Sequence, residues 1–226
     1  MKLDTSMSEI DRAAIRDMRR SYGEAGLEES KVAQDPIAQF HTWLTEAAGN
    51  AVIVEANAMV LSTVVDSHPT SRTVLLKDVT ESGFSFFSNY ESGKGKALEA
   101  NPNVSLVFPW YAMERQVIIL GSVTKLPAIE SDEYFATRPW GSQIGAWASA
   151  QSTQIESREV LEASFAKFAE KYPEGSVVPR PDHWGGYLVT PTTIEFWQGR
   201  YSRMHDRLRY VRATTNSNWS LTRLNP

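Results

Sequence analysis

Apolar residues along the chain repeat first at helical and then at alternating spacing. Residues 8–22 carry an amphipathic helical pattern, and residues 23–34 are polar with no clear period. A firmer helix starts at Asp35-Pro36, a capping residue followed by proline at the first helical position. Ile37, Phe40, Leu44 and Ala47 then recur on one face until Gly49 closes the helix. The expected organisation is an N-terminal helix and flexible lid segment over 1–34, followed by one domain over 35–226.

From Ala58 the texture changes to short runs rich in β-branched and aromatic residues: AMVLSTVV, RTVLLK, FSFFSN, VSLVFPW and RQVIILGSVTKL. The clusters DSHPT, TESG and NPN read as turns between them, and GKGKALEA as a short helix. Helices are expected again at 131–137, 142–150 and 158–172, with Pro139 breaking the first from the second. Strands resume in GYLVT, TIEFWQG, DRLRYVRA and NWSLTRL. The predicted class is α+β, mainly β: an antiparallel barrel decorated with helices.

Composition narrows the chemistry. A net charge of −4 over 226 residues leaves no broad field for nucleic acid or an anionic membrane, so an anionic ligand needs a local cluster of cations. The absence of cysteine removes disulfides, thiolate nucleophiles and Cys-ligated metals. His41, His68, His183 and His205 fall at no metal-ligand spacing, so no protein-held metal is expected. The N-terminus is charged throughout, and no apolar run approaches the roughly 20 residues of a membrane span. A cytoplasmic protein is the expectation.

Four groups of residues could carry chemistry. In RYSRMHDRLRY, strand alternation would place Arg203, His205 and Arg207 on one face. Such a row is either a solvated strand edge or a surface facing an anion, and the aromatic Phe196-Trp197 just upstream favours the second. Tyr134, Arg138 and Ser142 stand at i, i+4 and i+8, but Pro139 forbids one continuous helix. Ser142 is therefore read as the N-cap of a second helix, where free N–H groups suit a phosphate; an ordinary helical corner is the plainer reading. Arg72 and Lys77 bracket TVLL at a spacing that sends them to opposite strand faces, unless a bulge realigns them or they serve different ligand groups. SGKGK, at Ser92–Lys96, is a glycine-containing turn into a helix but lacks P-loop spacing. Gln116, Gln151 and Ser152 add polar groups in apolar surroundings. No Ser-His-Asp or paired-carboxylate arrangement stands out. Cations, amides and aromatics suit a planar phosphorylated ligand, with a cofactor doing the redox work.

These stretches, taken in order, resemble the pyridoxamine 5′-phosphate oxidase family. The matching segments include MRRSY, DPIAQFHTWLTEA, NAMVLSTV, SRTVLLK, FFSNYESGKG, NPNVSLVFPW, YFATRPWGSQIGAWASAQS, WGGY, EFWQGRYSRMHDR and RLNP. The resemblance implies an FMN-binding split β-barrel, a homodimer with FMN at the subunit interface, and oxidation of pyridoxamine or pyridoxine 5′-phosphate by O2. It places the FMN phosphate and ribityl chain against Arg72, Lys94, Gln151 and Ser152, and lays Thr73, Val74, Leu75, Leu76 and Lys77 along the flavin. Phe87, Ser88, Gln116, Trp197 and Arg207 complete the cofactor shell. Lys77, Tyr134, Arg138 and Ser142 would grip the substrate phosphate, Arg203 and His205 would lie at the pyridine ring as catalytic candidates, and Arg19, Arg20 and Tyr22 would form part of a lid. Three positions depart from the family pattern: Gly93 and Trp140 stand where arginine is usual, and Phe87 where some members have tyrosine. Two other readings use the same groups: a split-barrel flavoprotein with another substrate, such as a phenazine-pathway oxidase, and a non-catalytic carrier of flavin or pyridoxal phosphate.

Overall fold

Asp35 begins helix α1 (Pro36–Ala48) as the sequence predicts, its carboxylate accepting the N–H groups of Ile37 and Ala38. Gly49 ends the helix in ordinary right-handed geometry (φ −79°) rather than the left-handed one that favours glycine. The computed structural model describes residues 21–226, so the helical pattern at 8–20, with Arg19 and Arg20, lies outside the described residues. Residues 21–34 form no helix; Leu27 is buried in the core, and its backbone is tied to Asp206 and Arg223.

Among the described residues nine strands form one antiparallel sheet: β1 (Ala58–Val65), β2 (His68–Leu75), β3 (Asp78–Thr80), β4 (Gly83–Asn89), β5 (Asn103–Trp110), β6 (Arg115–Lys125), β7 (Trp184–Gln198), β8 (Asp206–Val211) and β9 (Ser220–Leu224). Their order is β2-β1-β5-β6-β7-β4-β3, with β8 and β9 continuing from β7. Helices α2 (Gly93–Ala100), α3 (Ala128–Ala136), α4 (Trp140–Ala148) and α5 (Arg158–Lys171) fill the connections. Among the described residues no helix is long and apolar enough to cross a membrane.

Local signals account for most of this. β1 alternates inward Met59, Leu61 and Thr63 with outward neighbours, and β5 does the same with Val104, Leu106, Phe108 and Trp110. The β1–β2 turn is shorter than DSHPT suggests. Asp66 and Ser67 both take positive φ (47° and 64°), as a two-residue hairpin turn requires, and His68-Pro69-Thr70 already belong to β2. Proline is tolerated there because β2 is an edge strand.

β7 is the longest strand. It pairs with β6 along its length, with β4 through its first half and with β8 through its second. The two separately predicted strands GYLVT and TIEFWQG are therefore one. A register shift beside Gly121 bends the β6–β7 pair, and a Cβ on that glycine would sit 2.2 Å from the Thr190 carbonyl oxygen. α1 closes the core: Phe40 meets Phe84 and Phe108 edge-on at 4.9 Å, and Trp43 meets Phe196 at 5.1 Å. A second, smaller core of Phe135, Ile144, Val178 and Trp184 lies under α3, α4 and α5.

Phe40→Ala should lower the unfolding free energy by about 3–5 kcal/mol, because a fully buried ring leaves a cavity. Asp35→Ala, which removes only the cap, should cost about 1 kcal/mol. Denaturant midpoints checked for constant slope compare the two; equal losses would mean that α1 does not anchor the core.

Candidate active site

The end of β2, the middle of β4, the start of α2 and the α3–α4 corner meet around a cavity of about 410 Å³. Thr73, Val74, Leu75 and Lys77 line one side, and Phe87, Ser88 and Lys94 the floor. Tyr134, Arg138, Ser142, Gln151 and Trp184 complete it. A smaller cavity of about 270 Å³, shared at Arg138, Ser142, Gln151 and Trp184, extends it along α4.

Local backbone places each group. Ser92 caps α2 by accepting the Gly95 N–H, and a Cβ at Gly95 would lie 2.0 Å from the Tyr90 carbonyl oxygen, so only glycine lets this helix start so close to β4. That start aims Lys94 at Ser88 (3.0 Å) and Gln151 (2.7 Å). Beyond Leu75 the chain leaves β2: Leu76 donates its N–H to Asn57, and Lys77 donates its N–H to Ser85. Arg72 bonds to the inward Thr63 and to the Leu61 carbonyl while Lys77 is exposed, in keeping with the opposite faces that their spacing predicts. Within the stretch expected along the flavin, Leu76 has its side chain in the core and its carbonyl accepting from the Asn57 amide.

The α3–α4 corner also differs from expectation. α3 ends at Ala136, two residues before Arg138, and α4 starts at Trp140 with Pro139 in the capping position. Ser142 sits in the first turn and caps nothing; its N–H donates to Pro139. Arg138 still turns inward, stacked 4.5 Å from the Trp184 ring centre and donating to the Ser142 carbonyl at 3.0 Å. Phe87, Tyr134 and Trp184 form a mutually near-parallel cluster, with Phe87 3.9 Å from Tyr134 and 5.5 Å from Trp184, and Tyr134 6.2 Å from Trp184. Trp140 instead packs edge-on against Phe165 and donates to the Tyr172 carbonyl, so it fastens α4 to α5.

No carboxylate among the described residues neutralises these cations. Among the described residues Arg72, Lys77, Lys94 and Arg138 make no ion pair, whereas Arg115, Arg180, Arg200, Arg207, Arg209 and Arg223 each hold a carboxylate. Arg72 is satisfied by neutral oxygens, the hydroxyls of Thr63 (2.8 Å) and Thr70 (2.7 Å) and the Leu61 carbonyl. Burial, and then the Arg72 charge, lower the Lys94 pKa; burial does the same to Arg138 and Arg72. Half-buried cations facing only neutral acceptors lack the compensation that buried charge requires, and an anion would supply it. Ser152 stands beside this group in left-handed backbone (φ 72°), 3.7 Å from where a Gly93 side chain would begin.

The other predicted residues gather elsewhere. Gln116, Trp197 and Arg207 are direct cross-strand partners on β6, β7 and β8, forming one row. Gln116 and Trp197 line a cavity of about 320 Å³ with Tyr22, Tyr111, Glu114 and Arg115. It shares no lining residue with the Lys94 cavity. Arg207 is oriented by Glu195, which also takes Arg209. Burial pushes the Glu195 carboxyl up, but the bonds from Arg207 and Arg209 outweigh it and hold the pKa below the ordinary value.

The expected row of Arg203, His205 and Arg207 does not form. β8 begins only at Asp206, and Arg203 lies in the short 3-10 turn Tyr201–Arg203. There Ser202 (φ 55°) and Arg203 (φ 60°) are left-handed in succession, at a cost of about 1–2 kcal/mol each. Arg203 is exposed, while His205 is half-buried against Trp197 (4.7 Å) and Tyr22 (5.5 Å). Its Nδ1 accepts the Arg200 N–H, leaving Nε2 to carry the ring proton.

Sequence reasoning passed over Glu195, Asp206 and Trp184 as site residues. Alternation in TIEFWQ was the available signal for Glu195, since it shares a strand face with Trp197. Among the described residues no cluster of His, Asp or Glu suits a metal ion.

Residues 45–172 match the family model described as pyridoxamine 5′-phosphate oxidase. Residues 184–226 match a pyridoxine 5′-phosphate oxidase C-terminal dimerisation region. A pyridoxine/pyridoxamine 5′-phosphate oxidase of Burkholderia multivorans is 53% identical over 94% of this chain and 99% of its own. One of Streptomyces avermitilis is 49% identical over 96% and 99%. Among solved structures, PhzG from Burkholderia lata, in complex with tetrahydrophenazine-1-carboxylic acid, aligns with TM-score 0.83 and 28% identity over 92% of this chain and all of its own. A pyridoxamine 5′-phosphate oxidase-related, FMN binding protein of Nostoc punctiforme (TM-score 0.67, 15% identity, 86% of this chain and all of its own) shares the fold. The strand order, the carboxylate-free cations and the collinear match over nearly the whole length agree: this chain is a split-barrel member of the pyridoxamine 5′-phosphate oxidase family.

Proposed function

We propose that this protein is an FMN-dependent oxidase that converts pyridoxamine 5′-phosphate and pyridoxine 5′-phosphate to pyridoxal 5′-phosphate, with O2 as acceptor. The observation that carries the reading is a group of four cations without carboxylates, Lys77, Lys94 and Arg138 lining one cavity and Arg72 near enough to Lys94 to lower its pKa, within a chain of net charge −4. Two phosphate monoesters, one on the cofactor and one on the substrate, need two such groups.

The donor set fits FMN. Arg72, Lys94, Gln151 and Ser152 offer cationic, amide and hydroxyl groups to a phosphate and a polyol chain, and Thr73, Val74, Leu75, Phe87 and Ser88 offer a mixed wall to a flat ring. Gln116, Trp197 and Arg207 belong to the same cofactor shell. In one chain Gln116 and Trp197 line a different cavity, so the shell is completed by a second copy, in keeping with a dimerisation region spanning β7 to β9. When bound, FMN supplies the two-electron acceptor for the oxidation and passes those electrons to O2, releasing hydrogen peroxide.

The chain's own residues bind and orient. Lys77 and Arg138 grip the substrate phosphate, with Tyr134 and Ser142 beside them. Arg138 is preorganised by the Trp184 ring and the Ser142 carbonyl, so little freedom is lost on binding. Arg203 and His205 position the pyridine ring so that its exocyclic carbon can lose a hydride equivalent while the amine or hydroxyl loses a proton. In the amine case, water then replaces nitrogen and ammonia leaves. Tyr22, packed on both Trp197 and His205, covers this face. The ligand of the phenazine-related neighbour carries a carboxylate and no phosphate, so its recognition has no use for both cation pairs.

The decisive experiment is anaerobic. Purified protein should carry yellow flavin that bleaches on addition of pyridoxamine 5′-phosphate and recovers its colour with air; bound flavin that stays oxidised would leave a carrier. Arg138→Ala should raise KM for pyridoxine 5′-phosphate about ten- to a hundredfold with FMN retained, as loss of a charged hydrogen bond of about 1.5–3 kcal/mol requires. Peroxide production measures it, and an unchanged KM would remove Arg138 from the substrate. Gly93→Arg should tighten FMN binding by on the order of tenfold or more, since a Cβ there meets only Ser152, at 3.7 Å, and the new cation starts next to Lys94. Flavin titration that gave an equal or larger Kd would place the phosphate elsewhere.

A further inference from the structure

We propose that Asp206 is a positioning residue: one carboxylate fixes both the turn bearing Arg203 and His205 and the segment 22–29 that covers it. The inference rests on the functional reading above. Asp206, the first residue of β8, is only 7% exposed. Its Oδ2 accepts the Leu27 N–H at 2.9 Å and an Arg200 Nη1–H at 3.4 Å, and its Oδ1 accepts an Arg223 Nη1–H at 2.5 Å.

Each of these donors reaches further. Arg223 also donates to the Leu27 carbonyl at 2.7 Å and to both oxygens of Glu29, so the Leu27 peptide is held on its N–H side by Asp206 and on its C=O side by Arg223. Arg200 uses its side chain for Asp206 and its backbone N–H for His205 Nδ1. Segment 22–29 contains no helix or strand, yet it brings Tyr22 against His205 and Trp197, and its Gly23 N–H reaches Glu114. The turn across from it holds two successive left-handed residues, Ser202 and Arg203. Backbone of that kind persists where surrounding contacts over-determine it. Asp206 is the group common to both segments, so loss of its charge should loosen them together.

The test uses holoenzyme carrying Asp206→Asn, which keeps the shape and an acceptor for Leu27 but gives up the charge that holds Arg200 and Arg223. Amide exchange in peptides spanning 21–29 and 200–205 should accelerate together by about tenfold or more, with the barrel strands unchanged. kcat/KM for pyridoxine 5′-phosphate should fall by about tenfold, while the FMN Kd stays within about twofold and Tm within a few degrees. Loosening of 21–29 alone with wild-type kcat/KM would reduce Asp206 to an anchor and overturn the proposal, as would unchanged exchange in both peptides. If the asparagine variant does not fold, Arg200→Gln cuts the link at the turn alone. It should speed exchange at 200–205 and lower kcat/KM, and wild-type behaviour there would also overturn the proposal. A wild type inactive on both phosphate substrates would sink the functional reading, and the paired exchange would then decide the tether by itself.

Discussion

The structure depends on the pairing of one strand. β7 runs fifteen residues, holds β6 along its length, and changes its other partner from β4 to β8 midway. Its inward residues Val189, Ile194 and Phe196 are fully buried, so the same strand that joins the two parts of the sheet also supplies the core beneath α1. Exchanging partners along one continuous backbone gives both halves of the strand a neighbour on the side away from β6. The bend at Gly121 lets β6 follow. Both candidate cavities are reached from this strand: Trp184 at its start walls the Lys94 cavity, and Trp197 near its end walls the other.

Electrostatic contrast then separates framework from site. Six arginines outside the Lys94 cavity, Arg115, Arg180, Arg200, Arg207, Arg209 and Arg223, are matched with a carboxylate, and Glu195 and Asp206 each serve two. Exposed pairs of this kind contribute little to stability, but the buried carboxylates fix where their partners point. The cations of the Lys94 cavity meet hydroxyls, carbonyls and ring faces instead. Neutral acceptors hold a cation in place without neutralising it, which is the arrangement an anionic ligand needs.

Where structure follows from nearby residues, it was legible in the sequence. The Asp35 cap, the eight residues of β1, the Ser92-initiated helix α2 and the alternation of β5 all emerge from short-range rules, and the structure reproduces them. Lys77, Tyr134, Arg138 and Ser142 line one cavity, but Ser142, expected as an N-cap, is not one, because Pro139 itself occupies the capping position. Failures came where distant contacts decide. The strand pattern of RYSRMHDRLRY is overruled at Ser202 and Arg203 by the tether through Asp206, whose partner Leu27 is 179 residues away in sequence. Likewise, His68-Pro69-Thr70 looked like a turn because nothing local reveals that β2 lies at a sheet edge.

The point where the chain leaves β2 bears on how this protein can vary. Between Arg72 and Lys77 the side chains alternate: Arg72 bonds to the inward Thr63, Val74 packs on the core, Leu76 lies within it with both its backbone groups bonded to Asn57, and Lys77 is exposed. Apolar residues within this stretch can be exchanged for others of similar bulk with modest effect. A residue gained or lost would send the lysine into the interior and the leucine toward solvent. In this stretch, the number of residues is more tightly constrained than their identity.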